Sequence, residues 1–219
     1  MIFNEAMKNI LLIILFTFSI NPVFADSPLT STDFYKAYLD IPLIQKTANS
    51  KGILTDEVFE YLTSQNSLDK KVALINALKW DFDGKNNSSL YIKKLFGIRK
   101  NYSHTNFYQK ATPEELLCYG YLKAMDDYFD VKKASVFTSR AQKLNPGSYT
   151  IAVINHLITA QMVESSNWCE IYSGFDNIKQ NKLLKLDFRT KASDIIHEYL
   201  KGYKDYCTTW YSVKKFFRG

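Results

Sequence analysis

The chain has 219 residues, 28 Lys/Arg against 22 Asp/Glu, a formal net charge of +6, and a composition that is 46% hydrophobic and 15% aromatic. So much apolar side chain builds a packed core and excludes a disordered chain. Three histidines and three cysteines, widely scattered, argue against a zinc site or a disulfide framework, and the eight glycines sit in no phosphate-loop or nucleophile-elbow context.

Residues 1–25 have the order of an export signal. Lys8 supplies a positive start, Ile10 to Ile20 an apolar stretch, and Val23-Phe24-Ala25 a small-residue cleavage site, predicting removal after Ala25. The apolar run is shorter than the ~20 residues a membrane helix needs, and no later segment is apolar enough to span a membrane. The mature chain, 26–219, is therefore expected to be soluble, in the bacterial periplasm or secreted. An uncleaved N-terminal anchor is the alternative.

From Asp26 to Thr30 the chain reads as a loose polar lead-in. Thr32 or Asp33 then caps a helix carrying Phe34, Tyr38 and Ile41, which Pro42 interrupts or restarts. Thr55 caps a short helix with Val58, Phe59 and Leu62 inward, and Ser67 opens a stronger one striped by Leu68, Val72, Ile75 and Leu78. Ser88 or Ser89 begins another, carrying Tyr91, Leu95 and Ile98. No stretch alternates with the two-residue period of a half-buried strand. The fold class is all-α, expected as one domain with an N-terminal half (32–110) and a C-terminal half (112–219).

Between the helices of the first half lies Trp80-Asp81-Phe82-Asp83-Gly84-Lys85-Asn86-Asn87, which contains the Asp-x-Asp-Gly of a calcium loop. Aligned on Gly84, Lys79 falls where the first carboxylate belongs and Leu90 where the bidentate glutamate belongs. The favoured reading is an interhelix turn in which Gly84 supplies a positive φ and Asn87 or Ser88 caps the next helix. Neither a metal nor a cofactor is expected.

The best-marked helix start is Thr112-Pro113-Glu114-Glu115, a capping box with proline at the first helical position. Two apolar stripes follow, Leu117-Tyr121-Ala124-Tyr128 and Cys118-Leu122-Met125-Phe129, so this helix is expected to be packed on two sides. Gly120 and Ala124 leave room for close approach of a neighbour. A second helix carries Val131, Ala134, Phe137, Ala141 and Leu144 and stops at Asn145-Pro146. Asp126-Asp127 at the end of the first helix opposes the helix dipole. Either a turn needs those side chains or they form a polar patch for a partner.

These small-residue helices, with the Asp127-Tyr128 turn and the closing Leu144-Asn145-Pro146, resemble a tetratricopeptide helical hairpin over residues 112–146. The resemblance implies antiparallel helical hairpins stacked as an α-α superhelix, a fold that commonly binds proteins. Thr138 departs from it where a large aromatic is usual, and no second copy is found at the expected period.

His156 reads as a packing histidine on a helix flank, His104 as a surface residue, and His197-Glu198 lacks the second histidine of a metalloprotease helix. A Cys118–His156 nucleophile pair is conceivable, but Cys118 sits among apolar neighbours that raise a thiol pKa. Cys169 and Cys207 are the favoured disulfide in an oxidising compartment, with Cys118 left as a buried thiol. Cys118–Cys169, Cys118–Cys207 and three reduced thiols are the alternatives.

Residues 179–219 hold ten Lys/Arg against four Asp/Glu and so carry the whole positive excess. A stripe at four-three spacing runs Ala192, Ile196, Tyr199, Tyr203, Tyr206, Trp210, Val213, Phe217. As one helix of about 27 residues it would be roughly 40 Å long; Gly202 and Thr208-Thr209 are the points where it would bend or break. A solvated face is the plain reading of its charge. Contact with acidic lipid or acidic protein is the functional one, and nucleic acid is not expected of an exported chain.

The expectation is an exported, non-enzymatic helical binding or scaffold protein of the cell envelope, its partner a protein. A periplasmic inhibitor or immunity-type protein neutralising an enzyme is the first alternative, and a hydrolase with dispersed active-site residues the second. Candidate binding residues are Trp80, Asp81, Asp83, Asp126, Asp127 and Trp210.

Overall fold

A computed structural model describes residues 27–163 and 167–207. In chain order it contains α1 (Pro28–Ser31), a 3-10 turn (Phe34–Tyr38), α2 (Pro42–Ala48), α3 (Asp56–Thr63), α4 (Leu68–Ala77), α5 (Asn87–Ile98) and α6 (Phe107–Lys110). Then follow α7 (Pro113–Asp126), α8 (Lys132–Leu144), α9 (Tyr149–Ala160), α10 (Trp168–Gln180), α11 (Thr190–Leu200) and a second 3-10 turn (Lys201–Tyr203). Among the described residues the only non-helical pairing is an isolated bridge between Ser148 and Lys185. The signal-like residues 1–25 and Trp210 lie outside the described residues.

Helix α7 is the middle of the molecule, packed against α4, α5, α8 and α9. The capping box starts it: the Thr112 hydroxyl accepts from the Glu115 amide (3.2 Å) while the Glu115 carboxylate accepts from the Thr112 amide (3.0 Å). Leu116, Leu117, Cys118, Tyr121, Leu122 and Ala124 are buried, on all sides of the helix and not only on two. Gly120 allows the contact with α8, because a Cβ there would stand 2.6 Å from Thr138 Cγ2 and 3.1 Å from the Ala134 carbonyl. Thr138 is fully buried at that crossing and donates to Asn155 of α9 (2.7 Å), so it ties α7, α8 and α9 together where an aromatic side chain would leave no room.

Buried polar groups knit the remaining elements to this middle. Asn76 of α4 accepts from the Tyr35 amide (2.9 Å) and donates to the Thr32 carbonyl (3.2 Å) and the Tyr121 hydroxyl (3.1 Å), which satisfies a buried amide completely. Lys71, buried, pairs with Glu114 at 2.8 Å. Phe107, on the short α6, plugs a gap among Phe96, Tyr102, Tyr119 and Phe137 with ring centroids 5.4–6.2 Å away. The two ends of the described chain also meet. Phe188 packs on Phe34 at 5.4 Å, and Arg189 lies over the Tyr38 ring at 4.4 Å while pairing with Asp40. One hydrophobic core therefore runs through a single domain.

Several expectations need correction. The lead-in is not loose: Ser27 caps α1 and Leu29 is fully buried. The first predicted helix is a 3-10 turn followed by α2, since Pro42 starts a new segment. Helix α7 ends at Asp126, so Phe129 leaves its stripe and faces water, as does Leu144 at the end of α8. The late aromatic stripe is not one helix through residue 207, because α11 ends at Leu200 and a 3-10 turn spans Gly202. The favoured cysteine pairing, by contrast, agrees with the structure: Cys169 and Cys207 stand at disulfide distance, with Cα atoms 4.7 Å apart, and Cys118 is a buried free thiol.

Two consequences of this packing are measurable. Gly120→Ala is expected to destabilise by about 1–3 kcal/mol from overpacking, despite the ~1 kcal/mol helix-propensity gain of alanine; adding Thr138→Ser, which removes the opposing methyl, should recover part of the loss in urea denaturation. Glu115 loses solvation by burial, which raises its pKa, but the Thr112 amide, the Tyr102 hydroxyl and Arg99 outweigh this and leave it below its ordinary value. A carboxylate depressed in the folded state stabilises above its unfolded pKa, and that contribution is lost as pH falls through the folded value. The wild type should therefore lose stability below about pH 4.5 more steeply than Glu115→Gln, as read by thermal melts across pH.

Candidate docking site

Four of the six sequence-level candidates, Asp81, Asp83, Asp126 and Asp127, line one cleft. It lies where the ends of α4 and α7 meet the start of α5, has a volume of about 720 Å³, and is lined by Asp81, Phe82, Asp83, Lys85, Asp126 and Asp127 among others. Trp80 stands beside it.

The loop between α4 and α5 is fixed by its backbone chemistry. Lys79 takes a left-handed conformation (φ 59°) just beyond α4, and Gly84 does so again (φ 77°) before α5 begins. The Asp81 carboxylate accepts from the Asp83 amide (3.1 Å), and its carbonyl accepts from Gly84 (3.0 Å). The Lys85 ammonium donates to the Leu78 and Lys79 carbonyls at 2.7 and 3.0 Å, closing the C-terminus of α4. Burial pulls its pKa below the ordinary lysine value, opposed by Asp81 and Asp126.

Asp126 does structural work in this arrangement. Its two carboxylate oxygens accept from the Asn87 amide (2.9 Å) and the Ser88 amide (2.7 Å), and its carbonyl accepts from Lys85 N (2.9 Å). A carboxylate that opposes the dipole of its own helix is thus held by the amino end of α5, which has no cap of its own. Burial raises its pKa, against the pull of those amides. Asp127 accepts from the Phe129 and Asp130 amides (3.2 Å each) and shapes the turn into α8. The aspartate pair is therefore explained by the turn and the cap, the first of the two readings.

The side chains of Asp81, Asp83 and Asp127 are exposed, and above them stand two aromatic rings, Phe82 (68% exposed) and Phe129 (65% exposed), edge to face at 5.7 Å. Tyr128 contacts Phe129 at 4.1 Å and Trp80 at 4.5 Å, so the exposed pair rests on a half-buried base. Sequence reasoning missed both phenylalanines. Phe129 fits the helical stripe of α7 in sequence, and Phe82 carries no pattern of its own; the Asp127 to Asp130 turn is the signal that takes Phe129 out of the stripe.

The nucleophile pair does not form. Burial pushes the Cys118 thiol up to about 12, and the His156 Nε2–H donates to the Ile171 carbonyl (2.8 Å) with the ring pressed against Gly174 and Phe175. Burial also lowers the His156 pKa, against that carbonyl. Among the described residues no group of three or more His, Cys, Asp or Glu is placed to hold a metal ion. No family model, curated protein or solved structure matches the chain.

The structural and available carboxylates should separate experimentally. Asp126→Ala leaves two buried amides without an acceptor and should cost about 2–3 kcal/mol, whereas Asp83→Asn should change stability by no more than about 0.5 kcal/mol. Equal losses in urea denaturation would contradict the division.

Proposed function

We propose that this is an exported, non-enzymatic binding or scaffold protein of the cell envelope, and that the cleft at the α4–α5 loop docks a protein partner. The observation that carries the reading is the Phe82–Phe129 pair, held out in water over three exposed carboxylates by turns that are themselves fully hydrogen-bonded. Exposed aromatics backed by a packed base are the anchors that dominate protein interfaces, and a surrounding charged rim selects the partner. The matching surface is an apolar segment flanked by lysine or arginine.

Export is supported by the signal-like order of residues 1–25 and by the Cys169–Cys207 pair, which suits an oxidising compartment. Among the described residues no helix is long and apolar enough to cross a membrane. The tetratricopeptide-like reading of α7 and α8 belongs to the same proposal. It draws support from the way α8, α9 and α10 each pack on the helix before, while Thr138 at the α7–α8 crossing departs from the pattern.

Chemical crosslinking in envelope extract, followed by capture of the wild type and of Phe82→Ser/Phe129→Ser, tests the site. The expected outcome is a partner retained by the wild type and lost, roughly tenfold or more, from the double variant. One stoichiometric enzyme as that partner would give the inhibitor or immunity-type role, and several structural proteins the scaffold role. Equal capture by the two proteins would reject the cleft as the docking surface, and turnover of a substrate panel would reject the non-enzymatic reading.

A further inference from the structure

A second apolar surface stands apart from this cleft, on the connection between α10 and α11. Of the three leucines in Asn181–Asp187, only Leu184 packs on the core; Leu183 is 90% exposed and Leu186 68% exposed. Hydrogen bonds hold them there. The Asn181 side chain accepts from the Leu183 amide (3.0 Å), the Lys185 amide donates to Gly147 (2.7 Å), and the Lys185 carbonyl accepts from Tyr149 (3.3 Å). Asp187 then fastens the far end, taking the Ser148 hydroxyl (2.7 Å) and the Thr150 amide (2.8 Å).

The charges around the leucines are one-sided. Lys182 and Lys185 alternate with them in sequence and are exposed, and Lys143 and Lys191 are exposed on the neighbouring α8 and α11. The acidic groups of the adjoining cleft are Asp69, Glu114 and Asp187. Asp69 is buried, Asp187 is tied to the start of α9, and Glu114, though its side chain is exposed, is neutralised by the buried Lys71 at 2.8 Å.

We infer that the α10–α11 loop docks on an anionic lipid surface, with Leu183 and Leu186 entering the headgroup–acyl boundary and Lys182 and Lys185 at the phosphates. Leucines that protrude at neighbouring positions with lysines between them have the two elements of interfacial binding, apolar insertion and attraction to acidic headgroups. A second copy of the chain is the poorer occupant, because two such loops would bring like charges together. This surface shares no residue with the aromatic cleft, so either proposal can fail alone.

Sedimentation of the whole chain with phosphatidylglycerol/phosphatidylcholine vesicles, against pure phosphatidylcholine, tests it. Partitioning should depend on the acidic lipid, weaken as salt rises, and fall by roughly tenfold or more in Leu183→Asp/Leu186→Asp and in Lys182→Glu/Lys185→Glu. Both leucines are exposed, so the variants should retain the wild-type melting temperature. Leu183→Trp should add a blue-shifted fluorescence component with acidic vesicles only. Absence of partitioning at low salt overturns the proposal and leaves an acidic protein as the loop's occupant. Undiminished partitioning of the leucine variant also overturns it, and assigns the binding to other parts of the chain.

Discussion

Burying α7 on every side is the constraint that shapes this molecule. A helix of 14 residues with ten of them buried cannot turn a polar face to water, so its polar residues gather at its ends. At the amino end Glu115 closes the capping box and holds Arg99 and Tyr102; at the carboxyl end Asp126 is shared with α5. Between them the helix is mostly apolar, with the Tyr121 hydroxyl bonded to Asn76 of α4 and Gly120 permitting the close crossing with α8. Each neighbouring element takes its place from one of these contacts.

The same constraint accounts for what is exposed. Because the Asp126 carboxylate and carbonyl hold Ser88 and Lys85, the α4–α5 loop is pinned to the end of α7, and Phe82 within it stands exposed. Asp127, accepting two amides of its own turn, ends the helix before Phe129 and swings that ring out beside Phe82. Two aromatic rings in water cost hydrophobic free energy that the core could have used. The turns that put them there are rigid, so their exposure belongs to the folded state.

The fold was legible in the sequence wherever a local rule sufficed. Thr55 and Thr112 cap as capping residues do, Gly84 takes its positive φ, and Gly120 marks the tight crossing. What was not legible depends on contacts between distant residues. The acceptor for the α5 amides comes from Asp126, 38 and 39 residues away, and no periodicity predicts it. Phe129 satisfies a helical stripe on paper but lies beyond the point where turn chemistry, not hydrophobicity, ends α7, and Leu144, the last residue of α8, is left facing water. The candidate acids came together because they flank two turns that meet; the exposed rings above them were hidden inside an ordinary apolar pattern.

The two proposed surfaces sit at opposite ends of one rod. Glu114 at the start of α7 lines the cleft beside Lys185 and Leu186, while Asp126 and Asp127 at its end line the cleft beneath Phe82. Fourteen helical residues separate the ends by roughly 20 Å, and the helix is clamped on all sides, so the spacing is fixed. An anionic surface at one end then leaves the aromatic pair free at the other, and a bound protein there would not cover the lysine-flanked leucines. A rigid spacer with unlike chemistry at its two ends is what a scaffold requires, and here that spacer is also the core of the fold.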